Sequence, residues 1–128
     1  MKQLRILVAD DSLALRERIV ALVGAQAGWE VVGVAQDADE TLAEARRLKP
    51  DVLLLDLEMP GGGLGALQTV KCELPATAVV ILTNHDYSQY RRVCAEYGAD
   101  GFLDKSAGPV RLLFALRAIT ASLAADKP

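Results

Sequence analysis

Residues 51–61 read DVLLLDLEMPG: four consecutive apolar residues, Val52 to Leu55, end on the carboxylate of Asp56, and the chain then turns at Pro60-Gly61. A run this short and this uniformly apolar, bounded by turn residues, is the mark of a strand buried on both faces. The same phrase recurs on either side of it. Ile6-Leu7-Val8-Ala9 ends on Asp10 and Asp11, Val79-Val80-Ile81-Leu82 ends on Thr83, and Gly101-Phe102-Leu103 is followed closely by Lys105. A further short strand is expected at Val31 to Val34.

Between the strands the apolar spacing changes to that of helices. Leu15, Ile19, Leu22 and Val23 form one stripe, with Ser12 placed to cap its start and Gly24 to end it. Asp37 followed by Glu40 resembles a capping box ahead of Leu42, Ala45 and Leu48, and Pro50 stops that helix. Met59 to Gly63 is a loop leading to a helix with Leu67 and Val70, closed by Pro75. Tyr90, Val93, Cys94 and Tyr97 give a fourth apolar stripe ending at Gly98. Pro109 opens a fifth helix whose stripe is Leu112, Leu116, Ile119 and Leu123. Asp126-Lys127-Pro128 is expected as a frayed tail. The pattern is α/β, a single open sheet of parallel strands alternating with helices, with no repeats and no interdomain linker.

Length and charge narrow the function. The 128 residues, 52% hydrophobic, suffice for one well-filled core and leave no room for a second ordinary domain. A net charge of −3 argues against binding a phosphate backbone, and the basic pairs Arg46-Arg47 and Arg91-Arg92 have acids nearby, as on solvated helix faces. Cys72 and Cys94 lack metal-site spacing and are expected as buried or half-buried free thiols, which suits a reducing cytosol. Met1-Lys2-Gln3 runs straight into the first strand, and no apolar run approaches the length of a membrane span. A cytoplasmic protein is expected.

In an open α/β sheet, functional groups gather at the carboxyl ends of the strands. Asp10, Asp11, Asp56, Thr83 and Lys105 would then meet at one edge. Taken singly, each has a plainer reading: a helix cap, a strand-end hydroxyl, a surface lysine. Clustered carboxylates repel one another by about 3 kcal/mol at about 5 Å in an effective dielectric near 20, and a divalent cation removes that cost. Acids with a hydroxyl and an ammonium describe a site for such a cation and a phosphoryl group.

The strings ILVADDS, DVLLLDLEMPG, ILTN and GADGFLDKS, in this order along the whole chain, resemble the receiver domain of two-component response regulators. The resemblance implies a (βα)5 doubly wound, flavodoxin-like sheet of order 2-1-3-4-5. Residues 1–124 would form the receiver and 125–128 a tail, without an output domain in this chain. It implies that Asp56 is the phosphoacceptor, served by a sensor histidine kinase or a histidine phosphotransfer protein. Mg2+ would be held by Asp10, Asp11, Asp56 and the backbone carbonyl of Glu58. Lys105 and Thr83 would contact the phosphoryl oxygens, and Thr83 with Phe102 would carry the switch to a partner-docking surface on helix four, strand five and helix five. Glu58, His85 and Asn84 would tune the phosphoryl lifetime. His85 reads equally as a plain loop residue, Phe102 also as a core aromatic, and Trp29 as a loop-packing aromatic ahead of strand two.

The chain departs from the family pattern in two places. Where the family has glycine eight residues after the acceptor, this chain has Leu64, flanked by Gly63 and Gly65. Asn84 is larger than the residue usual at its position. Beyond the kinase, an unknown output protein is the expected partner, with no direct contact to nucleic acid or membrane, and the chain would be a monomer or a weak dimer through Tyr87, Tyr90 or helix five. Two other readings compete. Asp56-Leu57-Glu58 imitates the DxD motif of haloacid dehalogenase-like, Mg2+-dependent phosphatases, although the order of the acids differs, and a receiver-like binding module that no longer accepts phosphate would share the same fold.

Overall fold

Side chains along a strand alternate between faces, and here both faces are covered. In the computed structural model, which describes residues 3–84 and 88–125, Leu7, Leu53, Leu55, Val79 and Ile81 enter one apolar layer. Their neighbours Ile6, Val8, Val52, Leu54, Val80 and Leu82 enter the other. All eleven are at most 3% exposed, so the strand runs are apolar throughout instead of alternating with polar residues. Each such side chain contributes about 2 kcal/mol of transfer free energy.

The strands are β1 (Leu4–Ala9), β2 (Trp29–Ala35), β3 (Val52–Asp56), β4 (Ala78–Thr83) and β5 (Gly101–Asp104), all parallel and ordered β2-β1-β3-β4-β5. The helices are α1 (Leu13–Gly24), α2 (Ala38–Leu48), α3 (Gly63–Glu73), α4 (Ser88–Glu96) and α5 (Pro109–Ala125). Ile19 and Val23 of α1 and Leu112 and Leu116 of α5 cover one face of the sheet. Ala45 of α2, Leu67 and Val70 of α3 and Cys94 of α4 cover the other. This is the doubly wound order expected of the sequence. Strand order reverses at β1, whose neighbours are β2 and β3, and the crevice beyond the carboxyl ends of β1 and β3 is where such sheets place their chemistry.

Both predicted N-caps form, whereas α1 runs through Gly24 and is capped by Ala25. Ser12 Oγ accepts from the Leu15 N–H at 3.3 Å, and Asp37 Oδ1 accepts from the Glu40 N–H at 2.8 Å. At the far end of α2, Lys49 takes the left-handed conformation (φ 47°) just before Pro50. Arg5 supports that end by donating to the Leu48 carbonyl at 2.7 Å and the Lys49 carbonyl at 3.2 Å, which satisfies acceptors the helix leaves open.

Four expectations need correction. Trp29 is the first residue of β2 and packs, 9% exposed, in the α1 and α5 layer; it is not a loop aromatic. Correspondingly, β2 is longer than Val31 to Val34 at both ends, and its pairing with β1 shifts register between Ile6 and Leu7. On α4 only Cys94 of the predicted stripe is buried, at 1% exposure, while Tyr90 and Tyr97 are 40% and 39% exposed. Cys72, expected to be at least half-buried, is exposed on α3. Expectations for His85, Tyr87, the side chain of Leu123 and Asp126-Lys127-Pro128 fall outside the described residues.

The basic pairs lie on solvated faces as expected. Arg46 meets Glu73 at 2.8 Å, Arg47 meets Glu44 at 2.6 Å and Arg92 meets Glu96 at 3.4 Å. Among the described residues no helix is long and apolar enough to cross a membrane.

Candidate functional site

Every one of the five predicted side chains stands at the carboxyl edge of the sheet. Asp56 and Thr83 are the last residues of β3 and β4, Asp10 and Asp11 follow β1, and Lys105 follows β5. Pairing in register keeps these ends level, since Asp56 lies opposite Leu82 and Thr83 opposite Asp104.

Asp10 is wholly buried. Its Oδ1 accepts from the Ser12 N–H at 2.8 Å, and its carbonyl accepts from Arg16 Nη1 at 2.8 Å, so both the side chain and the backbone of this turn are fixed. Asp10 Oδ2 makes no geometrically formed hydrogen bond; its counter-charge is the Lys105 ammonium, 2.6 Å away. Asp56, 1% exposed, accepts from the Glu58 N–H at 3.0 Å through Oδ1, which also faces Lys105 Nζ at 3.2 Å. Asp11, by contrast, is exposed.

Lys105 is therefore an internal counter-ion held between two carboxylates, its side chain only 8% exposed. Burial pulls its pKa down, but the close contact with Asp10 and the charges of Asp56 and Asp10 outweigh burial and hold it above the ordinary lysine value. The turn carrying it is braced by Asp104, whose Oδ1 accepts from the Ser106 N–H at 2.9 Å and from the Ser106 hydroxyl at 2.7 Å. Thr83 is wholly buried, and its hydroxyl donates to Glu58 Oε1 at 3.2 Å. Phe102, half-buried on β5, has the Arg91 guanidinium over its ring at 4.9 Å from the centroid. Asn84 is exposed next to Thr83.

The acids suit a divalent cation. Asp10, Asp11 and Asp56 each offer a carboxylate oxygen, and the three oxygens lie within 4.8 Å of one another. Hard oxygen donors and a buried oxygen without a hydrogen bond are the donor set that Mg2+ takes.

The close approach that requires glycine falls one residue before Leu64, at Gly63. A Cβ on Gly63 would strike the Asp56 carbonyl and come within 2.6 Å of Leu57 Cα, so only glycine lets α3 start against the end of β3. Sequence reading missed Arg16 and Asp104, which fix the two turns that carry Asp10 and Lys105. The Asp-Lys-Ser spacing at 104–106 was a legible signal for the second, as an Asx turn. Nothing local in the sequence signalled the first.

Comparison with known proteins agrees with the geometry. The model of the response regulator receiver domain matches residues 6–117. The chain is 37% identical over 117 residues to the uncharacterized transcriptional regulatory protein YxjL of Bacillus subtilis, covering 91% of this chain and 54% of that one. It is 36% identical over 119 residues to the response regulator GacA of Pseudomonas viridiflava, covering 92% and 56%. A two-component response regulator of the LuxR family from Aurantimonas sp. SI85-9A1 superposes with a TM-score of 0.89 at 34% identity, covering 94% of this chain and 87% of that structure. The chain spans about half the length of the curated relatives it matches.

Proposed function

Because the chain belongs to the family of response regulator receiver domains, we propose that it is a phosphorylatable switch whose acceptor is Asp56, with residues 1–124 forming the receiver. The observation that carries this reading is the placement of Lys105 Nζ 3.2 Å from Asp56 Oδ1, beside a cluster of three acids that each offer an oxygen within 4.8 Å of the others.

Asp56 is the nucleophile: a carboxylate oxygen attacks the phosphorus of a phosphohistidine on a sensor kinase or phosphotransfer protein, and the histidine nitrogen leaves. Little covalent work is required of the protein, so positioning and charge dominate. The Glu58 N–H holds Asp56 Oδ1 and with it the orientation of the carboxylate. Lys105 is poised to move its ammonium from Asp10 to a phosphoryl oxygen, and Thr83 to turn its hydroxyl to another. Mg2+, held by Asp10, Asp11, Asp56 and the Glu58 carbonyl, would neutralise phosphoryl charge and relieve repulsion among the acids. Glu58, Asn84 and His85 flank the acceptor and the threonine in sequence and set how long the phosphoryl group survives.

As Thr83 moves toward the phosphoryl group, Phe102 follows into the space it leaves. The surface of α4, β5 and α5 is then read by a partner. The phosphoryl group acts by favouring one of two arrangements. With a net charge of −3 the receiver surface is poorly suited to a phosphate backbone, so its switched face is read by protein, whether an output domain or a separate partner. It turns over no external substrate. A phosphatase of the haloacid dehalogenase type is not favoured, since the family match runs through the whole sheet.

Intact-mass measurement after incubation with acetyl phosphate and Mg2+ tests the reading. Wild type gains one phosphoryl group and Asp56→Asn gains none. Repeated turnover of a phosphomonoester would instead favour the phosphatase. An unchanged wild-type mass would leave a binding module.

A further inference from the structure

Glu58 joins the two reacting sides of the pocket. Its backbone N–H donates to Asp56 Oδ1 at 3.0 Å, while its own carboxylate accepts the Thr83 hydroxyl at 3.2 Å. Glu58 is exposed and Thr83 is wholly buried, so the carboxylate reaches in from solvent to a hydroxyl beneath it. A threonine hydroxyl has one proton to donate. Thr83 cannot give that proton to Glu58 and to a phosphoryl oxygen at the same time. Resting on the receiver reading above, we infer that Glu58 is a latch: it holds Thr83 in the resting arrangement, and phosphorylation engages the switch only by taking the hydroxyl away from it.

The latch differs from simple repulsion between Glu58 and an incoming phosphoryl group. Repulsion acts whether or not Thr83 carries a hydroxyl; the latch requires it. Glutamine at position 58 would keep an oxygen able to accept the bond but lose the extra strength that charge gives it.

Calorimetric titration of the full chain with beryllium fluoride in the presence of Mg2+ separates these cases. Glu58→Ala should bind the phosphoryl mimic about fivefold more tightly than wild type, the net worth of one partly solvated hydrogen bond. Glu58→Gln should fall between them. Thr83→Val keeps the shape of the side chain and removes the donor, and on that background Glu58→Ala should change the Kd by less than about twofold. Equal tightening on both backgrounds would overturn the latch in favour of bare charge repulsion. A Kd unchanged or weakened by Glu58→Ala, with wild type binding normally, would overturn the latch alone. Failure of wild type to bind the mimic would overturn the receiver reading and the latch together.

Discussion

Lys105 Nζ sits 2.6 Å from Asp10 Oδ2, and the two side chains are 8% and 0% exposed. A buried carboxylate and a nearly buried ammonium this close balance one another's charge, and the balance fixes the resting state of the site. Removing either partner leaves a charge without compensation, which costs far more than an exposed pair would.

Lys105→Met should lower stability by about 3 kcal/mol in denaturant titrations without added metal, because Asp10 and Asp56 are then buried beside each other unpaired. Mg2+ should recover more of this loss in the variant than it adds to wild type, since it supplies the missing positive charge. Equal stabilisation of the two proteins by Mg2+ would speak against a shared cation site.

The raised pKa of Lys105 sets an alkaline limit. Its partners favour the charged form in the fold, so the stability it contributes is fully present below the ordinary lysine value of 10.5 and is lost as pH rises through the higher folded value. The stability gap between wild type and Lys105→Met should therefore be flat near neutrality and shrink above that point. Melting curves across the alkaline range check this. A gap that closes on the acidic side of 10.5 would contradict it.

Two glycines near the start of α3 should respond oppositely to alanine. Gly63→Ala forces a methyl into the backbone of Asp56 and Leu57 and should cost about 3 kcal/mol, with loss of Mg2+ affinity as β3 shifts. Gly65 has open space around its Cβ position, and Gly65→Ala should stabilise the helix by about 0.5–1 kcal/mol. Chemical denaturation of both variants reads the pair directly.

The two thiols should differ in reactivity. Cys72 is exposed, whereas Cys94 is 1% exposed and burial pushes its thiol pKa up. Ellman's reagent should modify one thiol quickly in the folded protein and a second only in denaturant. Two fast thiols would mean that α4 is not packed as described.

The strands and the five convergent side chains were legible because they rest on a local rule, an apolar run ending on a polar residue, whereas the strand order followed from the family resemblance. What the sequence did not reveal depends on which neighbour arrives from elsewhere. Trp29 stands after a glycine like a loop aromatic, yet β1 pairs Leu4 with it and draws it into β2. Tyr90 and Tyr97 have helical spacing, but of that stripe only Cys94 is buried, and the two tyrosines are about 40% exposed. Leu64 looked like a lost glycine because a one-residue shift of the close approach to Gly63 leaves no trace in a residue count. The bond from Thr83 to Glu58 joins positions 25 residues apart and leaves no periodic signal at all.

If the side chains around Asp56 form one phosphoryl site, a crystal structure with Mg2+ and beryllium fluoride should show the fluoride adduct on the Asp56 carboxylate, Lys105 moved from Asp10 to one fluorine, and Thr83 moved from Glu58 to another. An adduct on a different acid, or Lys105 and Thr83 still bound to Asp10 and Glu58 with the adduct in place, would contradict it.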